Sequence, residues 1–274
     1  MKNKNKMNKA LTILIIFTFT QYSLSQSFNY KQGDTLRIFA LSGLKLRNEG
    51  NINSKVLSNI KFGEKVVIID TFQFDSKKVQ IIEEFSGQWV KVKYDTLEGY
   101  TFDGFLSSLP MPKTNLKKIN SRMKADGAQN DYDETTRIEW TLTDYINAEF
   151  YTIGKPIKKD NKVDGEGLRI EKIQKISCGF TKIDINGWEW YGFKIEMPNI
   201  RLSEVKNLIL VLVNNIGLKL DILEKIRTNV KKINENTKEE QTIFNIHDFN
   251  LILQKTKNNK GVIIWSLSFD RVVS

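Results

Sequence analysis

One stretch of the chain has the spacing of an acidic calcium loop. Four residues fall on positions one, five, six and twelve of an EF-hand loop: Asp160, Asp164, Gly165 and Glu171. Position three should supply a ligand oxygen but is Lys162, and the flanking segments alternate as strands where the motif requires helices. The sequence therefore predicts a polar hairpin loop here, with no metal and no other cofactor.

The chain has one histidine, His247, around which any Ser-His-Asp or Cys-His mechanism would have to be built. Asp248 follows it directly, but neighbouring residues on a strand point to opposite faces. We therefore predict that His247 is a surface or edge residue. No acidic pair sits in a recognisable frame, and no phosphate-binding glycine loop occurs. The sequence predicts a protein that is not an enzyme, with a carboxylate-only enzyme in residues 135–274 as the alternative.

The single cysteine, Cys178, excludes an intramolecular disulfide. Its neighbours Ser177 and Gly179 supply no charge that would lower the pKa of the thiol and make it a nucleophile. We predict a small, buried, apolar side chain at this position.

A series of short motifs separated by glycine turns runs from Leu44 to Leu106. The motifs are LKLRNEG at 44–50, KVL at 55–57, KFGEKVVII at 61–69, GQWVKV at 87–92 and EGYTFDGFL at 98–106. Many short strands with regular glycine-bearing turns are typical of a small barrel. The series also resembles the bacterial SH3 (SH3b) family, whose pattern is L-x-V-R-x-G-P, V-x-x-x-L-x-x-G-x-x-V, G-W-x-K-V, G-W-V and a closing Y-L. Asn51 stands where the family has proline.

The resemblance implies an all-β, SH3-like small barrel over residues 30–110. In such barrels, peptides bind along grooves lined by aromatic side chains. The aromatic residues at the matching positions are Trp89, Tyr100 and Phe105. Together with Arg47, whose polar end can reach solvent, they are the predicted ligand-binding residues. The competing interpretation is that a large ring such as Trp89 only fills the barrel.

The N-terminus has the pattern of a signal peptide over residues 1–25. Four lysines precede a short apolar run, Ala10 to Phe19, and small residues stand at Ser23 and Ser25. The run is shorter than the ~20 residues of a membrane span, so we expect cleavage before Gln26, with an uncleaved anchor as the alternative. The mature protein is predicted to be exported, periplasmic or secreted, with no stable membrane span.

The formal net charge of +10 falls by four when these lysines leave with the signal peptide. Basic residues are scattered among acidic ones, without a basic stripe interleaved with aromatics, so nucleic acid is not a predicted partner. A mildly basic exported protein is attracted, weakly and with salt screening, to anionic envelope polymers.

Prolines at 110 and 112 and a polar, poorly periodic stretch predict a linker over residues 111–134. An α+β domain, with antiparallel strands and one or two helices, is predicted over 135–274. Alternation predicts strands from Ile138 and from Tyr145, followed by strands over 167–176 and 178–185. Asn186-Gly187 predicts a hairpin whose return strand presents one apolar face: Tyr191, Phe193, Ile195 and Met197.

Two helices are predicted in this domain. Apolar residues at helical spacing follow Ser203, a good N-cap, and end at Gly217, so this helix is predicted to be buried on most sides. A second, more exposed helix is predicted from a similar spacing: Leu223, Ile226, Val230 and Ile233. The chain closes with a predicted hairpin around 258–261.

These observations predict an exported, non-catalytic binding protein. The resemblance implies that its SH3-like domain binds a cell-wall peptide, peptidoglycan or an envelope protein. One alternative is an envelope hydrolase with a catalytic C-terminal domain that the SH3-like domain targets. Another is a structural role, in which the SH3-like domain packs onto its neighbour with its groove covered.

Overall fold

A computed structural model describes residues 30–70, 75–83, 85–112, 134–163, 167–187, 190–215, 229–233, 240–245, 251–257 and 262–272. The predicted signal peptide lies outside these residues, as do His247 and most of the predicted linker. We refer to residues 30–112 as the N-terminal unit and to residues 134–272 as the C-terminal unit. Within the described part of the chain, no helix is both long and apolar enough to cross a bilayer.

Short antiparallel strands make up the N-terminal unit. They are β1 (Thr35–Ile38), β2 (Leu44–Arg47), β3 (Val56–Ile60), β4 (Lys65–Ile68), β5 (Gln80–Ile82), β6 (Phe85–Gly87), β7 (Trp89–Tyr94), β8 (Leu97–Phe102) and β9 (Leu106–Ser107). Among the described residues, seven of them form one sheet in the order β3-β2-β8-β7-β4-β1-β9, and β5 and β6 form a separate hairpin. A 3-10 turn, Asp103–Phe105, joins β8 to β9.

One buried cluster receives side chains from every strand of this sheet, because inward residues alternate with outward ones along each strand. The strands at its two edges both contribute, through Ile60 on β3 and Leu106 on β9. All seven strands therefore contribute to a single core. On β4, Val66 and Ile68 are buried while Val67 is exposed, so this strand is buried on one face only, although its sequence is a continuous apolar run.

The C-terminal unit combines two helices with a sheet, within the residues described. The helices are α1 (Glu134–Glu149) and α2 (Leu202–Asn215). The strands are β10 (Thr152–Val163), β11 (Gly167–Ile176), β12 (Thr181–Asn186), β13 (Trp190–Pro198), β14 (Asn229–Ile233), β15 (Glu240–Asn245), β16 (Leu251–Lys257) and β17 (Ile263–Val272). Their order in the antiparallel sheet is β10-β11-β12-β13-β17-β16-β15-β14. The predicted content of antiparallel strands with one or two helices is confirmed.

One face of this sheet packs against both helices. Phe193, Ile195 and Met197 on β13 are buried, as predicted, and β17 pairs with β13 so that Trp265 and Leu267 lie on the same face. These side chains share a core cluster with apolar residues of α1 and α2. The hairpin of β16 and β17 is confirmed, while the turn around 258–261 lies outside the described residues.

Helix α2 forms where it was predicted and is buried on most sides. It begins at Leu202, before the predicted cap at Ser203, and the carbonyl oxygen of Arg201 accepts the first amide hydrogen bonds, from Glu204 and Val205. Among residues 203–213, Lys206 is the one side chain that is not fully buried. Burial of part of its stem lowers the pKa of the Lys206 amine.

Three predicted elements, two strands and one helix, are of the wrong type over the residues described. The segment with Ile138, Trp140 and Leu142 is helix α1, not a strand, and this helix extends through most of the second predicted strand. Residues 229–233 form strand β14, paired with β15, where a helix was predicted. In both segments the spacing of apolar residues was compatible with either structure over a short window.

Candidate functional site

A groove of about 480 Å³ opens on the N-terminal unit. It runs along β2 and is bounded by the β5–β6 hairpin, by the first residue of β7 and by the last residue of β8. Its lining residues all lie between positions 40 and 105: Ala40, Ser42, Gly43, Leu44, Lys45, Arg47, Ile52, Asn59, Ile82, Glu83, Trp89, Phe102 and Phe105. This volume is in the range of small-ligand and peptide side-chain pockets.

Aromatic rings form one wall of the groove. The ring centroids of Trp89 and Phe102 are 6.0 Å apart, and those of Phe102 and Phe105 are also 6.0 Å apart. Phe85 supports Phe105 from behind, with ring centroids separated by 4.9 Å. The indole Nε1 of Trp89 donates to Gln80 Oε1 at 3.0 Å, which orients the indole. Phe102 and Phe105 are almost fully buried and Trp89 is half-buried, so Trp89 is the ring of this wall that is most open to the groove.

Two basic residues of β2 and one acidic residue give the groove a net positive lining: Lys45, Arg47 and Glu83. Arg47 is 8% exposed, and its Nη1 donates to the Ser54 carbonyl oxygen at 2.6 Å, which holds the long side chain in place. A guanidinium has five donor hydrogens, so one such bond leaves it donors for a bound carboxylate. The arrangement suits an extended ligand with an apolar side chain and an acidic group.

The structure brings together three of the four predicted ligand-binding residues, since Arg47, Trp89 and Phe105 all line the groove. Tyr100 does not line it, although it pairs with Arg47 across β2 and β8. It lies beside the loop at Gly50, where an added Cβ would be 3.0 Å from Trp89 Cβ and 3.5 Å from Tyr100 Cδ1. Tyr100 therefore packs under this loop, next to the groove.

Glu83 is a groove residue that the sequence interpretation missed. It follows β5 in a hairpin in which Ile82 pairs with Phe85, and its φ of 48° lies in the left-handed region. Such turns favour asparagine and glycine, so a Glu-Glu pair gave no turn signal. A strained backbone at the rim of a groove is found at many ligand sites.

Tyr94 and Glu64 form a polar pair on the surface of the same unit. The Tyr94 hydroxyl donates to Glu64 Oε2 at 2.5 Å, and the Lys61 amide donates to the same oxygen at 3.1 Å. The Tyr94 hydrogen bond, followed by that from Lys61, lowers the pKa of the Glu64 carboxyl. The same bond raises the pKa of Tyr94 to about 12.

Replacing Tyr94 with phenylalanine is expected to raise the pKa of Glu64 toward its ordinary value. Because the folded pKa of Glu64 is depressed, its stabilising effect is present above the unfolded pKa of ~4.3 and is lost as pH falls through the folded value. The variant should therefore lose less stability on acidification. Carbon-detected NMR titration of the Glu64 carboxyl measures the shift, with Tyr151→Phe as the control. An unchanged Glu64 pKa in Tyr94→Phe would contradict the assignment.

A buried polar network, which we call the interface cluster, joins the two units: Asp103, Arg201, Glu204 and Asn207. Arg201 Nη1 lies 2.7 Å from Asp103 Oδ2, and Arg201 Nε lies 3.3 Å from Glu204 Oε1. Glu204 Oε2 accepts from the Ser107 hydroxyl at 2.9 Å and the Ser108 amide at 2.8 Å. Each charge therefore has a partner of opposite sign, as a buried charge requires.

The electrostatics of the interface cluster keep its arginine charged. Burial alone would lower the pKa of the Arg201 guanidinium, but Tyr30, Asp103 and Glu204 raise it above its ordinary value. Arg201 Cζ also lies 5.1 Å from the centroid of the Tyr30 ring. Burial raises the pKa of the Asp103 carboxyl, and Arg201 offsets this only in part.

Apolar side chains cross the same interface in both directions. Phe39 and Leu109 of the N-terminal unit belong to the core cluster of the C-terminal unit. In return, Leu210 of α2 belongs to the core cluster of the N-terminal unit. The Tyr145 hydroxyl donates to the Pro110 carbonyl oxygen at 2.8 Å. The two units therefore share their hydrophobic cores.

The other predicted chemistry is placed as follows. Asp160 and Glu171 lie on the paired strands β10 and β11, and Glu171 is bridged to Arg169 at 3.5 Å. Asp164 and Gly165 lie outside the described residues, and within these no group of three potential metal ligands occurs. Cys178 is exposed, not buried as predicted, because it sits in a 3-10 turn with a φ of 64° that directs it outward.

Comparison of the chain with protein-family models, with curated proteins and with solved structures gives no match.

Proposed function

We propose that this protein is an exported, non-catalytic binding protein whose N-terminal unit is an SH3-like domain of the bacterial SH3 type. The support for the domain type is the motif series from Leu44 to Leu106, together with short antiparallel strands that share one core. The support for export is the signal-peptide pattern of residues 1–25.

The ligand of the proposed domain is a cell-wall peptide, either free or within peptidoglycan. The observation that carries this proposal is the convergence of Arg47, Trp89 and Phe105 on one groove, although they are far apart in sequence. The aromatic wall would hold an apolar part of the peptide, and Lys45 and Arg47 would bind its carboxylate. Peptides attached to an envelope protein present the same chemistry and are the second class of partner.

Among the residues that the structure describes, those lining the groove all belong to the range 40–105, whereas the C-terminal unit contacts the other side of the Asp103–Phe105 turn. This favours a binding role over a purely structural one in which the neighbour covers the groove. The envelope-hydrolase alternative needs an accessible cleft with two carboxylates, or with His247 beside a nucleophile, and His247 lies outside the described residues. Asp103 and Glu204 both pair with Arg201, but they are buried and do not line an accessible cleft.

A pull-down on purified peptidoglycan tests the proposed function. The wild-type protein should be retained at low salt, and Trp89→Ala should bind at least tenfold more weakly, because central aromatic residues carry most of the energy of such contacts. Tyr151→Ala, which removes an aromatic residue that is 71% exposed and outside the groove, is the matched control.

Retention should also fall as salt rises, since Lys45 and Arg47 contribute charge attraction. Soluble peptides released from the same peptidoglycan, with their terminal carboxylates free or amidated, separate the charged from the apolar contribution. Absence of wild-type retention at low salt would rule out the cell-wall ligand, and a cleared zone in cell-wall zymography would favour the hydrolase.

A further inference from the structure

The 3-10 turn Asp103–Phe105 contacts the groove on one side and the C-terminal unit on the other. On one side, the Phe105 ring lines the groove. On the other side, its backbone carbonyl groups meet side chains of the C-terminal unit. These three residues therefore lie between the proposed ligand and the C-terminal unit.

Two side chains of the C-terminal unit bind three backbone carbonyl groups of this turn and of Leu106, the residue that follows it. Arg201 Nη2 donates to the carbonyl oxygens of Asp103 at 3.1 Å and Leu106 at 2.9 Å. Asn207 Nδ2 donates to the Gly104 carbonyl oxygen at 2.8 Å. Both side chains are buried, so water does not compete for these carbonyl groups. The position of Phe105 is thus fixed from outside its own sheet.

The same turn also fixes the opposite end of the aromatic wall. Asp103 Oδ1 accepts from the Gln88 amide at 2.6 Å, and the Asp103 amide donates to the Gln88 carbonyl oxygen at 2.8 Å. Gln88 directly precedes Trp89 on β7. The Phe105 carbonyl oxygen accepts from the Phe39 amide at 2.9 Å, which connects the turn to the shared core. A shift of the turn would therefore move Phe105 relative to Trp89.

We infer that Asn207 and Arg201 are positioning residues for the groove: by holding the Asp103–Leu106 backbone they set the spacing of Phe105 and Trp89, and so couple groove binding to the docking of the C-terminal unit. The coupling to a ligand rests on the proposed function. Coupling between two sites is reciprocal, so a ligand in the groove stabilises the contact with α2, and loosening that contact weakens the ligand.

The experiment uses the full chain with Asn207→Ala, which removes the donor to Gly104, and Asn214→Ala as the matched control. Asn214 is on the same helix but is exposed. The first readout is the indole N–H resonance of Trp89 in the folded protein without ligand. The second is the affinity for the soluble peptides released from peptidoglycan. A residue that only adds stability would not move the first readout under conditions where both variants are folded.

We expect the Trp89 indole resonance to move and the affinity to fall three- to tenfold in Asn207→Ala, with both unchanged in Asn214→Ala. If Asn207→Ala does not fold, Asn207→Ser is used, since its short hydroxyl does not span the distance to Gly104. An unmoved resonance, or an unchanged affinity in a variant of a binding-competent protein, overturns the inference. If the wild type binds no peptide, the proposed function fails, and the resonance alone decides whether α2 shapes the groove.

Discussion

Replacing Arg201 with methionine is expected to lower the free energy of unfolding by about 3–5 kcal/mol, because it leaves the buried carboxylates of Asp103 and Glu204 without their cation. The change also removes the donor to the carbonyl oxygens of Asp103 and Leu106. Both consequences act at the contact between the two units, so we expect the whole chain to be destabilised as one body.

Urea unfolding, followed by tryptophan fluorescence and by far-ultraviolet circular dichroism, measures this change. The control is Lys91→Met, which removes a 3.9 Å ion pair with the exposed Asp70 and is expected to cost less than about 1 kcal/mol. Arg201→Met should shift both probes by the same amount. A loss comparable to that of the control, or a shift in one probe only, would show that the interface cluster does not hold the units together.

Replacing Phe39 with alanine is expected to cost a similar amount, about 3–5 kcal/mol, since a buried phenylalanine leaves a cavity when it is truncated. Phe39 is 1% exposed and lies in the core of the C-terminal unit, although it belongs to the N-terminal unit. The backbone amide of residue 39, which alanine retains, donates to the Phe105 carbonyl oxygen. A shift of the chain at residue 39 should therefore also move Phe105 in the groove.

Leu41→Ala provides the comparison for this variant. Leu41 lies two residues further along and is 38% exposed, so its truncation should change the free energy of unfolding by less than about 1 kcal/mol. Differential scanning calorimetry of the two variants separates the cases. If Phe39→Ala unfolds in two transitions with the N-terminal unit unaffected, the shared core is not a common unit of stability.

The parts of the fold that could be predicted are those in which the spacing of apolar residues was compatible with only one type of secondary structure. The apolar spacing in α2 continues for four turns, which no strand accommodates, and the helix was found there. In α1, Ile138, Trp140 and Leu142 alternate like a strand, yet Leu142, Tyr145 and Ile146 follow helical spacing and are buried together. Only packing against the sheet selects the helix.

Tertiary context also decided β14, which pairs with β15 along its whole length, although its apolar residues repeat every three to four positions. At Cys178 the local signal misled for another reason. Ile176 and Phe180, two residues away on either side, are buried, but the turn between them reverses the chain and leaves the thiol exposed.

Three groove residues, Arg47, Trp89 and Phe105, could be predicted from sequence because their motifs are local, whereas Glu83 and the interface cluster could not. Arg201 and Asp103 are separated by 98 positions, and although Asp103 lies in the EGYTFDGFL motif, Arg201 stands in no motif. A buried arginine looks like a surface arginine until the fold supplies its partner. Contacts of this kind carry no periodicity, so only a folded chain reveals them.

Small binding domains often spread by recombination, because a cassette that folds alone can be fused to any neighbour. Here Phe39 and Leu109 pack in the core of the C-terminal unit and Leu210 packs in the core of the N-terminal unit, so neither unit could be transferred alone without losing core contacts. A fusion protein that contained residues 30–112 alone would lack Leu210 in its core and would expose Phe39 to solvent. The two halves of this protein are therefore expected to be inherited together, with compensating substitutions on both sides of their boundary.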